Sequence, residues 1–180
     1  CDETELGDII LSWTSDSGLA LSTNFTTKSG NSTGLLTEEG ATSWATQVGY
    51  TKPRYSVSAI INQKYNDWSD SYFSTTLGKK RAYVPGDSST NIGLRAWWRP
   101  DGTGTAVPSI SLGYDTSETD KETASDTDMY FVGLTWQDMF TPDDRIGVAF
   151  GQPQKRSDET TDPFAWEAYY QFQVNDSVSV

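Results

Sequence analysis

Strand-like runs along this chain alternate one apolar residue with one that is small or polar. Phe164, Trp166, Ala168, Tyr170, Phe172 and Val174 interleave with Ala165, Glu167, Tyr169, Gln171 and Gln173. Pro108, Ile110, Leu112 and Tyr114 interleave with Ser109, Ser111, Gly113 and Asp115 in the same way. A period of two marks a strand with two unlike faces. The pattern predicts nine strands and the start of a tenth, over about 8–13, 18–26, 43–50, 54–65, 89–98, 107–115, 128–137, 144–151, 163–174 and 177–180. No segment has the helical period that would let a helix cover an oily sheet.

The connections between these strands are expected to be of two kinds. Tight ones lie near Thr14–Ser17, Thr51–Pro53, Arg99–Ala106, Gln137–Asp143 and Asn175–Asp176; long polar ones occupy about 27–42, 66–88, 116–127 and 152–162. Short and long alternate without exception, as in up-and-down outer-membrane barrels. The aromatics give a second sign. On the oily face Trp13, Tyr50, Tyr55, Trp98, Trp136 and Phe172 fall next to short turns. Phe25, Trp44, Tyr65, Tyr114, Tyr130, Phe150, Phe164 and Trp166 fall at the long-loop ends, and aliphatic residues such as Leu21, Val57, Leu94 and Val148 lie between. Such an order is that of two interfacial girdles around a lipid-facing band. The expected fold is all-β, an antiparallel up-and-down transmembrane β-barrel. About ten strands of a larger barrel are present, as one domain over residues 1–180. An antiparallel sheet with one face on a core and one in bulk water fits the period equally well. The girdles and the loop asymmetry weigh against it.

The opposite face supplies the pore-lining candidates: Lys64, Asn91, Arg95, Ser109, Ser111, Arg145, Glu167 and Gln171. Gly49, Gly93, Gly113, Gly133 and Gly147 share it. Ionised groups in a small dry interior would need pairing, so this face suits a water-filled lumen. Glu167 is expected to pair with Arg145 on the adjacent strand. The 66–88 connection holds Trp68, Tyr72 and Phe73, followed by Lys79, Lys80 and Arg81. Two readings stand for it: a constriction loop folded inward as a positive screen for anions, or an exposed loop with solvated charges.

Composition narrows the chemistry. With 35% apolar residues, a mean hydropathy of -0.57 and no apolar run of about 18 residues, the chain has no transmembrane helix. A net charge of -12 makes nucleic acid an unsuitable partner, since phosphate binding needs clustered Lys and Arg. The absence of histidine removes His-based catalysis and His-ligated metals. Glu118, Asp120, Glu122 and Asp126, with Asp158, Glu159 and Asp162, make two loops acidic. They read as solvated loops bridged by divalent ions to lipopolysaccharide rather than as a specific metal site. No pair of carboxylates is held on facing rigid elements as a glycosidase would need. No enzyme activity, cofactor or resident metal is expected. Cys1, the single cysteine, cannot form an internal disulfide; it is either a lipidated mature terminus or an arbitrary start.

The second half also resembles a known family. Asp128-Met-Tyr-Phe-Val-Gly-Leu-Thr-Trp-Gln-Asp138-Met-Phe140 is followed by Ile146-Gly-Val-Ala-Phe-Gly-Gln-Pro153 and by Phe164-Ala-Trp-Glu-Ala-Tyr-Tyr-Gln-Phe-Gln-Val-Asn-Asp-Ser-Val-Ser-Val180. In this order the three segments are similar to the cyanobacterial branch of the carbohydrate-selective porin (OprB-type) family. The resemblance is carried by residues 128–180; over 18–115 only the rhythm of strands and loops matches. It implies an integral pore of the cell outer membrane, in contact with membrane lipid and lipopolysaccharide. Small hydrophilic solutes, sugars or inorganic ions, would pass by diffusion. Nothing in the chain matches the S-layer-homology segment usual in cyanobacterial members, and Val180 lies inside a predicted strand. The expectation is therefore a fragment of a larger porin. Porins of this shape are often homotrimers, though no interface is legible in the sequence. Two functions of other classes compete. One is a soluble or surface-attached carbohydrate-binding β-sandwich, the other a surface receptor for phage or partner proteins.

Overall fold

The alternation produces the elements it predicts. The computed structural model describes residues 6–28, 40–66, 68, 88–120, 126–175 and 178–179. Within them lie β1 (Leu6–Thr14), β2 (Leu19–Lys28), β3 (Thr42–Lys52), β4 (Tyr55–Tyr65), β5 (Ser88–Trp98), β6 (Ser109–Thr119), β7 (Thr127–Gln137), β8 (Arg145–Arg156) and β9 (Ala165–Gln171). Two further short strands, β10 (Gln173–Asn175) and β11 (Val178–Ser179), complete the set. The first nine form one antiparallel up-and-down sheet in which every strand bonds only to its sequence neighbours, and β10 pairs with β11. There is no helix among the described residues. The expected strand over 163–174 is interrupted at Phe172, so its last residues belong to β10 rather than to β9.

The strict alternation of short and long connections holds only in the first half. Residues 15–18 and 53–54 are short, against 29–41 and 66–87. In the second half 99–108 spans ten residues, longer than the seven of 120–126 and the eight of 157–164. The cause is that β6 and β8 run on, to Thr119 and Arg156, through polar residues that lack an oily face. β8 also carries a bulge. Asp128 faces Lys155 and Tyr130 faces Gln152, so β8 holds one extra residue here, beside Pro153, which has no N–H to donate to a ladder. Gly151 abuts it, and a Cβ there would meet the Tyr130 carbonyl oxygen at 2.1 Å.

Two short connections are fixed by specific contacts. Gly18 has a φ of 95°, open to glycine, and a Cβ there would lie 2.2 Å from the Thr51 carbonyl oxygen. In 138–144, the fully buried Asp144 carboxylate accepts N–H bonds from Met139 (2.7 Å), Phe140 (2.9 Å) and Thr141 (3.0 Å). These bonds close the connection on itself.

Register shows a steady stagger. One row of ladder partners runs Leu19, Tyr50, Val57, Ala96, Leu112, Val132, Phe150 and Trp166 across β2 to β9. It starts at the first residue of β2 but meets β8 five residues beyond Arg145. The rows therefore cross the sheet obliquely to its ends. Tyr114 and Tyr130, expected at long-loop ends, lie opposite Leu94 and each other within β6 and β7, because the ladder runs on past them to Ser117 and Thr127.

The faces are as unlike as the sequence predicts, but the oily one is not inside. Among the described residues no apolar side chain is buried. Twenty-seven large apolar side chains are exposed, most of them on one face, including Leu21 (47%), Val57 (51%) and Leu112 (46%). An open trough of about 630 Å³ crosses that face, lined by Leu19, Val48, Tyr50, Val57, Ala59, Leu94, Ala96, Leu112 and Tyr114 among others. It lies between two ladder rows, where the low side chains of Ala59 and Ala96 stand among taller neighbours.

Candidate functional site: the polar face of the sheet

Ladder parity places all eight pore-lining candidates on one face. Lys64 pairs with Ser89, Asn91 with Asn62, Arg95 with Gly113, Ser109 with Thr135, Ser111 with Gly133, Arg145 with Gln171, and Glu167 with Ala149. The five glycines read with them share this face. Side chains there are crowded: a Cβ on Gly93 would meet Asp115 Oδ1 and Ile60 Cγ2 at 2.8 Å, and Gly113 is covered by the ring of Phe131.

Arg95 is not the open cation that its sequence position suggested. Its Nη1 and Nη2 donate to Asp115 Oδ1 and Oδ2, both at 2.7 Å, in a two-pronged pair. The guanidinium also lies 5.6 Å from the centre of the Phe131 ring. With side-chain exposures of 45% and 31% the pair stands in reach of solvent. Bidentate geometry holds both groups in one orientation. The expected Glu167–Arg145 pair does not form. Arg145 faces Gln171 whereas Glu167 faces Ala149, four residues further along β8, about 13 Å at a strand's rise per residue.

Three aromatics on this face were not among the candidates: Trp97, Phe131 and Tyr169. Phe131 and Tyr169 each lay a ring over a cross-strand glycine, Gly113 and Gly147. Trp97 carries the guanidinium of Arg99 at 5.7 Å. The signal was present, since each stands two residues from a polar-face candidate or glycine.

At the long-connection end the face begins to be covered. The ring of Trp68, from the connection after β4, lies 4.4 Å from Lys28 Nζ on β2. Lys79, Lys80 and Arg81 fall outside the described residues. At the other end, the 99–108 connection folds over the strand ends. It encloses a cavity of about 230 Å³ lined by Arg54, Arg99, Asp101, Gly104, Thr135 and Gln137. Arg54 Nη1 donates to Asp101 Oδ2 at 2.6 Å, and Arg99 Nε to the Pro53 carbonyl at 2.8 Å.

Hydroxyls and amides dominate what remains. Asn62 Nδ2 donates to Ser43 Oγ at 3.0 Å, and Asn91 Nδ2 to the Asn62 carbonyl at 3.1 Å. Among the described residues no group of three or more acidic or thiol side chains is gathered as a metal site. Chemically, the face offers hydrogen-bonding side chains and, between Arg95 and Asp115, an oriented ion pair in reach of solvent. Neither a family model, nor a curated protein, nor a solved structure matches this chain.

Proposed function

We propose that the sheet is part of the wall of an outer-membrane β-barrel, lining a pore through which small hydrophilic solutes diffuse. The observation that carries this reading is the exposed oily face. Each large apolar side chain left in water forgoes about 1.5–3 kcal/mol. Over this face that sums to tens of kcal/mol, more than a domain's whole stability of about 5–15 kcal/mol. Something apolar must cover it, and lipid does so without a second protein layer. The oblique ladder rows agree, because closing a sheet into a barrel requires tilted strands and a staggered register. The polar face then meets water, and its Arg95–Asp115 pair would set a local field on passing ions.

The test is partition followed by conductance. The protein should float with lipid vesicles after refolding and open steady ion-conducting steps in a planar bilayer. A stable, monodisperse protein in detergent-free buffer that binds no vesicle would end the reading.

A further inference from the structure

The oily face differs at its two ends in what its cations meet. At the long-connection end Lys155, opposite Asp128 on the oily side of β8, is paired with Asp162. At the short-connection end Lys52 Nζ lies 5.4 Å from the centre of the Tyr50 ring and has no anionic partner among the described residues. Beside it the Arg54 guanidinium, already paired with Asp101 across 2.6 Å, lies 5.7 Å from the Trp98 ring. Both rings are on the oily face, and Tyr50 and Tyr55 touch, with centroids 6.2 Å apart. A cation whose stem follows an aromatic ring to the edge of an apolar surface is placed to meet an anion in water just beyond it. In a chain of net charge -12, that is an unusual site.

The trough begins at this rim. Tyr50 lines it, Ala96 lines it two residues from Trp98, and its volume of about 630 Å³ is that of a small-molecule pocket. Aromatics and cations at one end of a hydrocarbon-lined groove match a lipid in both of its parts.

We infer that this rim binds a phospholipid with an anionic headgroup, the phosphate meeting Lys52 beside the Asp101-paired Arg54 and an acyl chain lying in the trough over Ala59 and Ala96. The inference rests on the membrane-embedded reading above, since only then does a bilayer lipid reach this face. A second copy of the chain seated on the trough would not need the unpartnered Lys52, so the charge favours lipid.

The probe is phosphatidylglycerol with brominated acyl chains, a minor component of phosphatidylcholine vesicles holding the refolded protein. Its quenching of tryptophan fluorescence, to which Trp98 contributes, is compared with that by brominated phosphatidylcholine. The expected result is a preference for the anionic lipid of about fivefold or more, since a cation near a membrane surface contributes about that factor. It should fall toward none in Lys52→Gln with Arg54→Gln, and weaken at high salt. Ala96→Leu, which raises the floor of the trough, should reduce quenching while Lys52 stays in place. Vesicle flotation of every variant establishes that each has inserted. Insertion without preference, or a preference that the charge variants leave unchanged, overturns the inference and leaves the pore reading standing. Failure of the unaltered protein to insert overturns both. An oligomer that Ala96→Leu dissociates, with lipid preference intact, assigns the trough to a second copy and also overturns it.

Discussion

The phenolic hydroxyl of Tyr170 donates to Asp144 Oδ2 across 3.1 Å, tying β9 to the connection between β7 and β8. The ring of the same tyrosine faces Phe140 edge-on at 6.0 Å and stacks on Phe172 at 5.8 Å. One side chain thus has an apolar body among aromatics and a polar tip on a buried carboxylate, the form suited to a membrane interface. Tyr170→Phe should keep the ring contacts and lose only the hydrogen bond. Asp144→Asn should destabilise more, because an amide in its place turns one acceptor into a donor facing N–H groups. Urea unfolding from detergent micelles should rank the two in that order.

The pH dependence of that turn has a definite sign. Burial alone would raise the Asp144 carboxyl, but the N–H groups of Thr141, Phe140 and Met139 and the Tyr170 hydroxyl outweigh it and hold it below the ordinary aspartate range. A folded value below the unfolded one, about 3.9, means that the stabilisation is complete above the unfolded value. It is lost as pH falls through the folded one. The stability gap between the unaltered protein and Asp144→Asn should be flat around neutrality and close only in acid below about pH 4.

Two glycines on the polar face separate crowding from mere absence of a side chain. A Cβ on Gly113 would stand 2.0 Å from Phe131 Cε1, whereas one on Gly133 would meet Ser111 Cβ at an ordinary 3.6 Å. Gly113→Ala should cost about 1–3 kcal/mol by overpacking. Gly133→Ala should be neutral or slightly stabilising by restricting the unfolded chain. Adding Phe131→Ala to Gly113→Ala should recover part of the loss in the same unfolding measurement.

On the pore reading proposed above, the Arg95–Asp115 pair predicts a change in selectivity. Asp115→Asn leaves Arg95 without its carboxylate, and should move the reversal potential of a bilayer in a salt gradient toward anions; Arg95→Gln should move it toward cations. Stability should change little, since a pair this exposed contributes less than about 1 kcal/mol. Equal reversal potentials for the two variants would remove these residues from the permeation path.

The two faces should also differ in what they tolerate. Leu94→Arg, on the oily face, should weaken folding into bilayers by about 2–4 kcal/mol. Ser111→Arg, on the other face of adjacent β6, should be close to neutral. The comparison is read from denaturant titrations in lipid vesicles.

How far the sequence carries is visible in particular residues. Alternation alone locates the strands and gives each side chain its face, because period two is the geometry of a strand. Its signal stops where the oily series stops, so Thr116–Thr119 and Gln152–Arg156 read as loop although they are strand. The Arg95–Asp115 pair and the separation of Glu167 from Arg145 needed the register, which no single strand contains. Pro153 marked the neighbourhood of the bulge, but the extra residue shows only against β7. The paired roles of Phe131 and Gly113 were likewise a cross-strand fact.

In an up-and-down order every second strand runs the same way, so β1 and β9 point in one direction. Bringing their free edges together would make a parallel ladder in an otherwise antiparallel wall. A ring closed by antiparallel ladders throughout has an even number of staves. Any such ring built on this sheet must therefore place an odd number of further strands between β9 and β1. The β10–β11 ladder, separate from the nine-stranded sheet, is itself antiparallel.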